Sequence, residues 1–328
     1  MSTARREPSA VLAPTAAKIA RRNTAAIAMA LLLAFAPVAA AGQVYRWTDA
    51  NGVVHYDGNR PDLPASRLTL IPFQAEPNAP ARLRIERDDG GGGYVAIADN
   101  LLAGPVQVRV HAAAGAGVVG VPELPARATV PARGSVLVAR IGVADPGKSG
   151  RFELRMDTMP GPPDARPLDV EYAFPLQLPT PRVAQGWGGV FSHNDVENHH
   201  AVDFAADIGT PVLAARAGTV MQVESDFDTA SRNAERFGDR ANFVRILHDD
   251  GTMAVYAHLK PEGVLVRAGQ RVRREQPIGL SGNTGFSTGP HLHFVLQVNR
   301  GMRLTSIPFR MFSANGILRF GESGEGGD

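Results

Sequence analysis

Between residues 93 and 178 the chain is cut into short apolar runs, each closed by turn residues: YVAIADN, PVQVRVHAA, RATVPA, SVLVARIGV, RFELRMDTM and LDVEYAFPL. Such runs are too short for helices that bury a useful face, and their β-branched content suits pleated strands. The same punctuation holds along the whole chain, with 35 glycines and 25 prolines in 328 residues and aromatics at only 6%. The expected fold class is therefore mainly β. The length exceeds one ordinary domain, and 44% hydrophobic residues are enough for more than one core.

The first unit reads as an export signal over residues 1–41. Arg5, Arg6, Lys18, Arg21 and Arg22 form a basic region, the apolar run AAIAMALLLAFAPVAA follows, and Ala39-x-Ala41 offers a small-residue cleavage site. Pro37 and the short apolar core argue against a retained anchor, so no stable membrane insertion is expected after cleavage. Arg21-Arg22 admits a twin-arginine route, but the residues expected after such a pair are missing. Residues 42–75 read as a small β-hairpin domain, with alternating runs flanking Asp49-Ala50-Asn51-Gly52. Residues 76–92, ending DDGGGG, read as a linker. Residues 93–178 read as an immunoglobulin-like β-sandwich. Residues 180–313 form a further antiparallel β domain, and 314–328 a disordered tail. A polar insertion, residues 226–241, interrupts the last β domain.

Two function classes drop out early. Residues 1–41 hold five basic residues and one acidic one, leaving 29 basic and 31 acidic. The net charge of +2 thus belongs to the export signal, and no nucleic-acid partner is expected. There is no cysteine, which excludes thiolate metal sites, cysteine nucleophiles and lipid attachment through a lipobox. The expected location is exported, periplasmic or secreted. Oligomeric state is left open.

Seven of the nine histidines fall within 180–313: His193, His199, His200, His248, His258, His291 and His293. In STGPHLHFVLQ, His291 and His293 are two apart in a strand, so they share a face while Leu292 and Phe294 point to the core. In HHAVDFAAD, His199 and Asp203 are four apart and share a face, with Val202 and Phe204 opposite. His199, Asp203 and His293 then make a set of nitrogen and carboxylate ligands that suits zinc. His291 stands beside it, and His258 ends the strand MAVYAHL with Tyr256 on the same face.

The segments H-x-x-x-D, YAHL and SGNTGFSTGPHLHF resemble the lysostaphin and LytM type of zinc endopeptidases, over most of residues 180–313, with GTPVLAARAGTV in support. The resemblance implies hydrolysis of peptide cross-links or stem peptides of bacterial peptidoglycan with one Zn2+. It implies Asp203 and His293 as metal ligands and His291 and His258 as the catalytic pair. The third ligand is either His199 or His193, since Ala201 replaces the glycine of the family's H-x-G-x-D and some relatives carry the histidine in an F-S-H segment. His291 would accept the water proton and His258 would steady the oxyanion by a hydrogen bond or positive charge, or the two would exchange these jobs. Residues 45–56 resemble a small domain of unknown function with the pattern Y-x-W-x-D-x-x-G-x-x-x-Y.

Other residues have plainer readings. His200 has the opposite parity to Asp203 and reads as a bystander. His248 reads as a structural hydrogen-bonding residue, His111 as structural and His55 as surface. Asp249 and Asp250 read as turn residues. GNTGFSTG lacks the Lys-Ser/Thr ending of a phosphate loop, and Asn283 and Ser287 are candidate donors at the substrate wall. The rival from another class is a non-catalytic cell-wall-binding or hydrolase-activating protein on the same fold. A carbohydrate hydrolase would need paired carboxylates, which the histidine cluster does not supply.

Overall fold

Alternation and turn chemistry produce a chain built from strands. A computed structural model describes residues 43–321 apart from 49–53, 58–61, 65–68, 73–78, 91–92, 114–116, 144–151 and 232–239. Among the described residues there is no helix, and so none long and apolar enough to cross a membrane. The expected export signal, the Asp49–Gly52 turn and residues 322–328 lie outside the described residues.

Gln43–Thr48 pairs antiparallel with Val54–Asp57, which is the expected hairpin, and Thr69–Pro72 adds a third strand on its other edge. Next, a four-stranded sheet runs in the order Ala81–Arg87, Tyr94–Asn100, Ser135–Val143, Val118–Val121. A three-stranded sheet of Leu154–Pro160, Val106–Ala112 and Ala126–Val130 faces it across one core that includes Ala96, Ala98, Val106, Val108, Val130 and Ile141. Ala81–Arg87 corrects the expected linker. Its apolar alternation, Ala81, Leu83 and Ile85, is short and diluted by charge, and Asp88 N–H donates to Gly93 O at 2.9 Å ahead of the next strand.

The main sheet is antiparallel throughout. Its order is Val183–Gln185, Val202–Ala205, His291–Asn299, Met253–Ala257, Phe243–Leu247, Gly218–Glu224, Arg271–Val272, with Leu304–Ser306 also paired to His291–Asn299. One face packs Val202, Phe204, Val244, Ile246, Tyr256, Leu292 and Phe294 into the largest core. Full burial of each such side chain contributes about 1.5–3 kcal/mol. That face is covered by a small sheet of Pro211–Leu213, Pro277–Ser281 and Leu259–Val264, and by Phe309 and Phe320.

Two expected boundaries are corrected. Glu171–Ala173 does not belong with the sandwich strands: it pairs in parallel with Arg310–Ser313, and Tyr172 is buried in the core of the main sheet. The tail does not begin at 314 as a disordered segment. Gly316–Leu318 pairs with Arg310–Ser313, Phe320 is buried, and Phe320 O accepts from Trp187 N–H at 3.1 Å. The apolar residues of NGILRF hold this segment down.

Candidate metal centre and groove

The opposite face of the main sheet carries polar chemistry, and strand register aligns it. Asp203 stands opposite His293, His293 opposite Ala257, and Ala205 opposite His291. Alternation then places Asp203, His291 and His293 on one face, with Leu292 and Phe294 behind them. His193 enters from the loop after Val183–Gln185 and is fully buried.

His193, Asp203 and His293 offer one ligand atom each within 4.8 Å of one another. His193 Nε2 lies 3.2 Å and His293 Nδ1 lies 2.9 Å from the same carboxylate oxygen, Asp203 Oδ1. His193 Nδ1–H donates to Gly186 O at 2.7 Å, which aims Nε2 at the cluster. Gln185 Nε2 donates to Asp203 Oδ2 at 3.3 Å and to Ser192 Oγ at 2.8 Å, so it orients the carboxylate. Burial alone would raise the Asp203 pKa, but hydrogen bonds from His193 and His293 hold it well below the usual carboxylate range. A buried, ionised carboxylate among imidazoles is the donor chemistry of a cation site, and two nitrogens with one oxygen suit zinc.

His291 and His258 stand beside this trio. The rings of His258 and His291 are 4.6 Å apart, and His291 Nε2 is 3.7 Å from Asp203 Oδ1. His291 Nδ1–H donates to Gly289 O at 2.7 Å and His258 Nδ1–H to Thr284 O at 2.6 Å. Both imidazoles thus keep Nε2 as the basic atom. Burial first, then the neighbouring His291 and His293, push His258 down to about 3. His258 does not share a face with Tyr256, contrary to simple alternation. Tyr256 is in the core, its hydroxyl accepting from Ala215 N–H at 2.8 Å, whereas His258 has φ +62° and turns to the site. Left-handed backbone at a non-glycine residue is strained and recurs at functional sites.

The remaining histidines stay out of the cluster. His199 is exposed, and its ring contacts His200. His200 packs on Trp187, with Nδ1 3.3 Å from Ser306 Oγ. His248 Nδ1–H donates to Ala217 O at 2.8 Å, in keeping with a structural role. His111 lies in the sandwich near Asp157. Ser287 Oγ donates to Gly289 O at 3.0 Å and so braces the carbonyl that holds His291.

Sequence reasoning missed three supporting residues. Gln185 has no motif around it. Asn242, fully buried, bonds the backbone of Phe227 and Leu259, and its own N–H donates to Thr284 Oγ1. This network fixes the loop whose carbonyl holds His258, and Thr284 was visible only as part of GNTG. Arg245 lies on the site face, in a groove of about 760 Å3 that also reaches His258, His293 and Gln297.

Residues 197–304 match Peptidase family M23, and residues 31–82 match a domain of unknown function, DUF4124. His193 lies just outside the first match. Peptidoglycan DD-endopeptidase ShyA of Vibrio cholerae is 45% identical over 103 residues, 31% of this chain and 21% of that protein. An uncharacterized metalloprotease of Haemophilus influenzae is 40% identical over 104 residues, 32% of this chain and 19% of that protein. Glycyl-glycine endopeptidase ALE-1 of Staphylococcus capitis is 37% identical over 103 residues, 31% of this chain and 25% of that protein. The chain spans a quarter or less of the length of each of these relatives.

Proposed function

The chain carries a peptidase family M23 domain, and from that premise we propose that it is an exported zinc endopeptidase that cleaves peptide cross-links or stem peptides of bacterial peptidoglycan. The observation that carries this reading is the convergence of His193 Nε2 and His293 Nδ1 on Asp203 Oδ1, with two further imidazoles alongside. His193, Asp203 and His293 would hold one zinc ion. When bound, zinc lowers the pKa of water and polarises a carbonyl oxygen.

The protein's own groups handle the protons. His291, its tautomer set by Gly289 O, accepts the proton of the attacking water at Nε2 and returns it to the leaving amine. His258, its Nδ1–H held by Thr284 O, presents Nε2 to the site, where it orients water. The groove beside them, floored by Val255, Val295 and Ala257, seats the peptide.

The test is digestion of purified sacculi by the zinc-loaded protein, with mass spectrometry of the released fragments, beside a chelated sample and His291→Ala. Peptide-bond products that vanish in both controls support the reading. A folded, zinc-loaded protein that releases nothing would favour the wall-binding role.

A further inference from the structure

Arg245 occupies a position that folding alone does not explain. It stands on the site face of Phe243–Leu247, opposite Val255, in a row otherwise floored by Val255, Val295 and Ala201. Its Nη1 donates to Gln297 Oε1 at 2.8 Å, and Gln297 Nε2 in turn donates to Glu197 O at 3.0 Å, so the guanidinium is held in place. Its Nε is shut off from solvent and meets no acceptor among the described residues. A buried donor on a cation without an acceptor is costly, so the guanidinium is left under-satisfied in the folded protein. Burial lowers the Arg245 pKa to about 10, against the favourable field of Glu197, so it remains charged at neutral pH. The other arginine of the groove, Arg240, lies over the ring of Phe227.

We propose that Arg245 is a specificity residue that binds a free carboxylate of the substrate peptide through its guanidinium. The inference rests on the peptidase reading and deepens it. The ruler is the sheet itself. Arg245 lies two strands and one same-face step from His293, about 12 Å between Cα atoms. An extended peptide advances about 3.3 Å per residue, so the recognised carboxylate lies within about four residues of the cleaved bond. A planar guanidinium matches a carboxylate in two parallel hydrogen bonds, which an amide cannot reproduce.

The test uses two synthetic stem peptides that differ only in one group, a free carboxylate or its carboxamide, cleaved by the zinc-loaded full protein. The carboxylate peptide is expected to have a KM lower by about 30-fold, with kcat similar for both. Arg245→Gln is expected to treat the two peptides alike, and Arg245→Lys, which keeps a cation, to retain a reduced preference. Equal cleavage by the unaltered protein overturns the inference and leaves the peptidase reading standing. A preference that survives in both variants also overturns it, since another group then reads the carboxylate. Cleavage of neither peptide overturns the peptidase reading, and this inference with it.

Discussion

His258 and His193 are the residues at which strand arithmetic fails, and each failure has a local cause. Counting by twos aligns His258 with Tyr256; the left-handed backbone at 258 moves its ring to the opposite face, where Thr284 O captures Nδ1–H. Counting by fours offers His199 to Asp203, yet the turn before Val202 leaves His199 exposed and a longer loop delivers His193. By contrast, Asp203, His291 and His293 were legible because a regular strand obeys its own parity. Zinc content separates these roles. His193→Ala is expected to lose bound zinc and activity together, while His199→Ala keeps both, as read by metal analysis after dialysis and by fragment release. His258→Ala is expected to keep zinc and lose activity by about 10²–10⁴-fold, as loss of the proposed water-orienting partner of the general base would produce.

At the scale of elements, the hairpin Phe243–Leu247 to Met253–Ala257 was legible from its Asp-Asp-Gly turn, but the role of that turn was not. Asp250 is no ordinary turn residue. Its carboxylate accepts from Arg216 Nη1 at 2.7 Å, from Thr252 Oγ1 at 2.7 Å and from Leu168 N–H at 3.0 Å, tying the turn to a segment some eighty residues earlier. Partners so distant in sequence leave no local pattern. Burial works against the charge, and these bonds outweigh it, holding the carboxyl at about 2. Because the folded value lies below the unfolded one of about 3.9, the stabilisation is complete above about pH 4 and is lost as the pH falls toward 2. Asp250→Asn is expected to lose about 1–3 kcal/mol at pH 7 in denaturant unfolding. The gap to the unaltered protein should narrow between about pH 4 and pH 2. A gap that stays constant over that range would show that shape rather than charge carries the anchor.

At the scale of the whole molecule, the sandwich and the main sheet are not beads on a string. The site-face residues of His291–Asn299 run from His291 and His293 through Val295 and Gln297 to Asn299, whose Nδ2 donates to Gln107 Oε1 at 3.1 Å and Gly161 O at 3.0 Å. The sandwich therefore packs on the same face as the histidine cluster, beyond Gln297, and Met221, Met253 and Leu304 join its core. Composition and turns carry no trace of this packing, nor of the return of Glu171–Ala173 to Arg310–Ser313, because parallel pairing across such a distance has no sequence signature. The boundary near 180 would then cut through the core of the main sheet, removing Tyr172 and Leu176, both about 3% exposed. Deleting a buried side chain of that size from a core costs about 2–5 kcal/mol. A fragment of residues 162–321 is thus expected to unfold at a clearly higher denaturant concentration than one of residues 180–321, with similar slopes. Equal midpoints would mean that Tyr172 and Leu176 are dispensable to that core and that the unit begins where its histidines do.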